Sequence, residues 1–194
     1  MEQILTFSTR NTRPTTFHYL LDLPEDIRPD ERLPLIVFLH GAGERGDNPE
    51  AVRRHGPPKL MAENAPVRAI VLAPQCAADD VWYTQTHELK ELIDEVTARF
   101  PVDPDRVSLT GISMGGFGAW ALAIAYPTLF SALAPLCGGG MSWCAPRLKE
   151  LPIRAFHGDN DPSVPPDYSL LMVQAVNAAG GHASLTLLPG VGHD

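Results

Sequence analysis

A serine with glycine two residues away on either side, Gly111-Ile112-Ser113-Met114-Gly115, is the pattern whose residue types point most directly to chemistry. Three fixed positions in five recur by chance, so the weight comes from context. The run 106–110 (RVSLT) precedes it as a short buried strand, and the Ala- and Gly-rich run 114–126 follows as a helix stopped by Pro127. A tight strand-to-helix turn lifts the hydroxyl out at the carboxyl end of a sheet, and flanking glycines let neighbouring backbone pass without a Cβ. The helix N-terminus beside it favours developing negative charge. A plain Gly-Ser turn with Ser113 as helix cap is the bland alternative.

A hydroxyl nucleophile needs a base, and the base needs an acid to orient it. In a strand–turn–helix setting these follow in the order Ser, Asp, His. The segment His157-Gly158-Asp159-Asn160-Asp161-Pro162 comes just after a strand at 153–156, on the same sheet edge as Ser113. Asp161 is preferred as the acid because Pro-Ser-Val-Pro stiffens the loop after it; Asp159 suits a turn residue bonding its own backbone. His193, in the glycine-flanked loop after the last strand at 184–188, is the expected base. His182 precedes that strand and falls at the opposite edge. His40 and His157 end strands beside glycine and read as structural; His18, His55 and His87 read as surface residues. Acyl transfer also needs donors aimed at the oxyanion. The backbone N–H of Met114 supplies one, and the loop His40-Gly41-Ala42-Gly43 the other, through the amide of Ala42 or, next in order, Gly43.

The elements that must position these residues alternate strand and helix. Segments 4–8 and 16–23 read as an antiparallel edge pair joined by a polar turn at 9–14. Runs 33–39 and 69–73 read as buried strands, and 86–100 as an amphipathic helix. A strand at 131–136 and a helix at 166–179, closed by Gly180-Gly181, complete the pattern. Such alternation implies one domain over residues 1–194, an α/β architecture with a parallel sheet covered on both faces.

Composition narrows the partners. The 194 residues carry a net charge of -8, against nucleic acid or an anionic membrane surface. The longest apolar runs, 35–39 and 119–125, fall far short of the ~20 residues that span a bilayer. The start lacks a basic segment and apolar core, so a cytoplasmic protein is the default; a secreted form that had lost its leader would look the same. Three cysteines, Cys76, Cys137 and Cys144, leave at least one thiol, with a Cys137–Cys144 bridge left open. With no CxxC and dispersed histidines, no metal site is read and no cofactor is expected.

Taken together, His40-Gly41-Ala42-Gly43-Glu44-Arg45-Gly46-Asp47-Asn48, Ala73-Pro74-Gln75-Cys76 and the stretch from Leu109 to Gly118 resemble the compact α/β-hydrolases described as predicted esterases or peptidases. That group is related to feruloyl and polyhydroxyalkanoate-depolymerase-type esterases and to the carboxylesterase/phospholipase group. The segments 157–165 and 192–194 fit the same pattern. The resemblance implies a mostly parallel sheet flanked by helices and hydrolysis of carboxylic esters through an acyl-enzyme. It supports Ser113, Asp161 and His193, and the Ala42 and Met114 amides, one by one. Members usually continue beyond the histidine into a helix that packs on the sheet, whereas this sequence stops at Asp194. The expectation is an uncovered apolar sheet face and, with it, a tendency to homo-oligomers.

Only residues 137–151 separate the strand at 131–136 from the next, too few for a large cap, so the site should be open to short-chain, aryl or polymer-borne esters. Trp82 and Trp143 are candidates for lining a substrate pocket, with core packing as the alternative, and Glu44 and Arg45 are expected to pair and hold the oxyanion loop. An ester hydrolase is the favoured reading. A peptidase or amidase using the same three residues, and a non-catalytic binding protein, are the alternatives.

Overall fold

Runs of Val, Ile and Leu with no polar alternation belong where both faces of a strand are covered, and such runs form the centre of the sheet. The computed structural model describes residues 2–8 and 14–193. Its strands are β1 (Glu2–Ser8), β2 (Thr16–Asp22), β3 (Leu33–Leu39), β4 (Ile70–Pro74), β5 (Val102–Ile112), β6 (Ala132–Leu136), β7 (Ile153–Gly158) and β8 (Ala183–Leu188). They form one sheet in the order β1-β2-β4-β3-β5-β6-β7-β8. β1 pairs antiparallel with β2, and β2 with β4; every other pairing is parallel. The turn expected between the first two strands falls largely on 9–13, outside the described residues.

The helices are α1 (Gly56–Ala62), α2 (Thr86–Arg99), α3 (Met114–Ala125) and α4 (Asp167–Ala178), joined by 3-10 turns at Ala42–Glu44, Pro49–Arg54, Trp82–Thr84 and Ser142–Leu148. The 3-10 turns and α1 were not foreseen. They carry glycine, proline and charge in place of a helical apolar period, which reads as loop. β5 is longer than the expected 106–110: Leu33 faces Val102 but Leu35 faces Val107, so the stretch containing Pro104 bulges out of the ladder.

The two faces of the sheet differ. On one, Tyr19, Leu21, Leu35, Val37, Leu39, Leu72 and Leu109 pack with Leu89, Leu92 and Val96 of α2, Trp120 and Leu122 of α3 and Met172 and Val176 of α4, all essentially buried. On the other, a small cluster of Leu20, Phe38, Val52 and Ala73 lies against the 49–54 turn. Beyond it, Thr110, Ile112, Ala134, Leu136 and Phe156 line an almost wholly apolar groove of about 350 Å³, bordered by Gly56, Pro57 and Leu60 of α1. Coverage of both faces, expected from the alternation of elements, is therefore incomplete over β5–β7. Among the described residues no helix is long and apolar enough to cross a membrane.

Candidate active site

Ser113 stands at the turn from β5 to α3 with φ 56 and ψ -119, a conformation that costs a side-chain-bearing residue strain and is held by its surroundings. Its N–H donates to the Leu136 carbonyl (3.0 Å) and its carbonyl accepts the first helical bond from Phe117. Glycine is dictated on both sides: a Cβ at Gly111 would collide with the Gly115 carbonyl, and one at Gly115 with the Leu39 carbonyl. The serine hydroxyl makes no cap bond to its own helix. It points instead to His193, with Oγ 2.9 Å from Nε2.

His193 Nδ1 lies 2.7 Å from Asp161 Oδ2. A carboxylate only accepts, so Nδ1 carries the proton, and the Nε2 of a neutral ring is free to accept from Ser113. The other carboxylate oxygen of Asp161 accepts the Ser163 and Val164 amides at 2.8 and 2.9 Å. Burial on its own would raise the Asp161 pKa, but the Val164 amide, His193 and the Ser163 amide outweigh it and hold the carboxyl below 3.8. His157, fully buried, brings Nε2 to 2.8 Å from the Val164 carbonyl and 3.3 Å from Asp161 Oδ2, so it braces the loop from behind. Contrary to the expectation from sequence, Asp159 does not bond its own turn. Its carboxylate accepts the Gly190 amide at 2.7 Å, and the Asn160 N–H donates to Val191, tying the loop of Asp161 to the loop of His193.

The loop after β3 is anchored by His40, buried at its root. Nδ1 donates to the Gly41 carbonyl (2.6 Å) and Nε2 accepts the Cys76 amide (3.0 Å), which fixes the ring as the neutral Nδ1–H tautomer. Burial, with Arg45 adding to it against the Gly41 bond, lowers the His40 pKa to about 4. The side-chain amide of Gln75 donates to the Glu44 and Asn48 carbonyls, and Arg45 donates to the Ala42 and Asp80 carbonyls. The expected Glu44–Arg45 pair is thus replaced. Arg45 clamps backbone, while the buried Glu44 carboxylate faces Arg54 at 3.9 Å and His55 at 3.7 Å, because the 3-10 turn sends the two neighbours in different directions.

A cavity of about 290 Å³ opens beside Ser113 and His193, walled by Gly41, Ala42, Gly43, Glu44, His55 and Ile112. His55, read from sequence as a surface residue, keeps half its side chain in solvent but also forms this wall. Neither tryptophan lines the cavity. Trp82 is 0% exposed; its indole N–H donates to the His40 carbonyl (2.9 Å) and its ring meets His40 edge-on. It belongs to the core and supports the loop after β3 from below. Trp143 is 76% exposed, on the 3-10 turn after β6.

Cys76, Cys137 and Cys144 are all thiols, so the Cys137–Cys144 bridge left open by the sequence does not form. Sequence reasoning also missed that Cys137 belongs beside Asp161 and His193: ligand atoms of the three lie within 4.8 Å of one another. The signal was its position directly after β6, at the same carboxyl edge as the ends of β7 and β8.

Known proteins bear on this geometry. Residues 11–162 match the family model Esterase, described as "Putative esterase"; the match includes Ser113 and Asp161 and ends before His193. The chain is 28% identical over 158 residues to probable feruloyl esterase C of Aspergillus terreus, covering 79% of this chain and 58% of that one. It is 44% identical over 68 residues to the S-formylglutathione hydrolase of Bos taurus, covering 31% of this chain and 24% of that one. The crystal structure of a thermostable esterase superposes with TM-score 0.83 at 31% identity, over 96% of this chain and 54% of that one. The chain thus spans little more than half the length of its longer-matched relatives.

Proposed function

From the premise that the chain belongs to the Esterase family and has the α/β-hydrolase fold, we propose that it hydrolyses carboxylic esters through an acyl-enzyme on Ser113. One observation carries this reading above the others: the unbroken relay Ser113 Oγ to His193 Nε2, at 2.9 Å, and His193 Nδ1 to Asp161 Oδ2, at 2.7 Å.

In the acylation step Ser113 Oγ bonds to the ester carbonyl carbon as its proton passes to His193 Nε2. Asp161 stays ionised and steadies the imidazolium. The carbonyl oxygen becomes an oxyanion, which the amides of Met114 and Ala42 receive; each such donor lowers the barrier by about 3 kcal/mol. The bond to the alcohol then breaks as His193 returns its proton to the leaving oxygen. Water, deprotonated by His193, releases the acid by the same steps in reverse. The clamps on the 40–48 loop suit it to this role, since donors fixed beforehand need no reorganisation when charge develops.

The substrate reading is a short-chain or aryl ester, including one borne on a polymer. Its support is the modest volume of the cavity beside Ser113 and the absence of a large insertion between β6 and β7. The test is turnover of a p-nitrophenyl ester series from acetate to palmitate, with a feruloyl ester and an amide analogue, on wild type and Ser113→Ala. Turnover of short or aryl esters that vanishes in the variant is expected, as is labelling of Ser113 by a fluorophosphonate. Activity retained in Ser113→Ala overturns the assignment, and a preference for the amide overturns the ester reading.

A further inference from the structure

Among the described residues one group of three side chains offers a metal ion ligands at close quarters, and it is not a group the ester chemistry needs whole: Cys137, Asp161 and His193. Each comes from the end of a different, adjacent strand. Cys137 follows β6, with its N–H donating to the Phe156 carbonyl of β7 (2.9 Å); Asp161 follows β7; His193 follows β8. Cys137 is held at φ 38, outside the region a side-chain-bearing residue ordinarily adopts, and is 2% exposed. The Asp161 side chain is fully buried, while His193 keeps 27% of its side chain in contact with solvent and forms the open side.

We propose that this trio is an inhibitory site for a thiophilic divalent ion of the zinc or cadmium type, which switches the nucleophile off by taking the acid–base pair away from it. The donor chemistry suits such an ion, which accepts thiolate, imidazole and carboxylate ligands and, held by three protein groups, keeps a fourth position for water. The charges close as well: a thiolate and a carboxylate neutralise the dication, so the buried complex carries no net charge. The geometry asks for small movements. Tetrahedral ligands at 2.0–2.3 Å stand about 3.3–3.8 Å apart. The His193–Asp161 contact at 2.7 Å must therefore open by about 0.6–1.1 Å, and the thiol must close in from at most 4.8 Å.

The protons balance. The ion takes the place of the proton shared between His193 Nδ1 and Asp161 Oδ2, and Cys137 gives up its thiol proton to solvent. The imidazole stays neutral by carrying its proton on Nε2. An Nε2–H is a donor, so it cannot accept from Ser113, and the hydroxyl is left without a base. Inhibition in this form needs no displacement of Ser113 and no blockage of the cavity.

This proposal rests on the esterase reading only for its effect on turnover, so the experiment has a second readout. Cadmium chloride is titrated into wild type, Cys137→Ala and Cys137→Ser, all in a Cys144→Ser background to remove the more exposed thiol. Ester hydrolysis is followed, together with the ultraviolet thiolate-to-cadmium charge-transfer band, which is also read in Ser113→Ala, where no turnover is needed. The expected result is a one-equivalent band and loss of activity in the parent. Both Cys137 variants should hydrolyse ester within about twofold of it, lack the band, and require at least tenfold more cadmium for half-inhibition. EDTA should restore the parent. Equal inhibition of the parent and both variants, or no band in the parent, overturns the site. If ester turnover is absent throughout but the band appears and depends on Cys137, the metal site stands and the esterase reading falls. If a Cys137 variant melts early, the other replaces it, and loss of the band in a variant that melts like the parent decides the matter.

Discussion

His40 and His193 lie at the same edge of the same sheet, each at the end of a glycine-bearing strand–loop junction, yet they are built for opposite behaviour. His40 is enclosed, with both ring nitrogens committed to backbone, and its pKa falls to about 4, so it stays neutral through the physiological range. His193 is part-exposed and has side chains on both nitrogens, an acid on one and a hydroxyl on the other. The difference lies in the partners. Backbone groups fix a tautomer and cannot exchange protons with it, whereas a hydroxyl and a carboxylate leave a ring free to take up a proton and give it back. His40 holds the loop after β3 in shape; His193, in the proposed reaction, moves protons beside it.

The largest effect should come from breaking the second of these. Asp161→Asn keeps the shape but offers His193 Nδ1 a donor or a neutral acceptor, and should lower kcat on the order of 10⁴-fold, measured with the best p-nitrophenyl ester on protein shown to be folded. A drop of less than tenfold would mean that His193 does not depend on Asp161 for its tautomer.

The His40 region should show itself in stability. Its pKa is depressed from 6.5 to about 4, so between those values the unfolded chain takes up a proton that the native state refuses. Stability is therefore full above about pH 6.5 and declines as the pH falls towards 4, by about 3 kcal/mol in all. Asp161 works in a lower window: its carboxyl is held below 3.8, so its contribution is intact above the ordinary carboxylate range and is lost only as the pH falls through the lowered value. Urea unfolding from pH 7.5 to 4 should show the first slope in wild type, and His40→Gln should flatten it. An equal slope in the variant would assign the acid sensitivity elsewhere.

Trp82→Phe removes the indole donor to the His40 carbonyl while keeping most of the ring. It should cost about 1–3 kcal/mol of stability and lower kcat more than it raises KM, since the loop it supports is called on mainly in the transition state. Smallest of all, Asp159→Ala unties the His193 loop at Gly190. A net loss of about 1 kcal/mol in positioning corresponds to roughly a fivefold fall in kcat; an unchanged kcat would show that the Asn160–Val191 bond suffices.

What could be read from the sequence was what repeats locally. Ser113 was legible because a strand, two glycines and a helix surround it, and these constrain one another within a dozen residues. That Asp161 and His193 would meet Ser113 was legible because chain order fixes which end of a parallel strand a loop occupies. What failed depended on packing between distant segments. Nothing near Trp82 or Trp143 says that one sits at 0% and the other at 76% exposure. The partners of Glu44, Arg45 and Asp159 are chosen by a 3-10 turn and by a neighbouring loop, not by adjacency in sequence. The bulge in β5 hid because Pro104 and its acidic neighbours look like the end of an element rather than an excursion within one.

The order of strands in the sheet also sets an order in time. β3 receives β4 on one side and β5 on the other, and the centre can form from the first hundred or so residues and their helices. His193 reaches Ser113 across 80 positions of chain, through β6, β7 and β8 laid down in sequence on one growing edge. Closing so long a loop is slow relative to local contacts. During refolding from urea, recovery of ester turnover should therefore lag the return of helical and strand signal, making catalysis a clock for the last edge of the sheet to close.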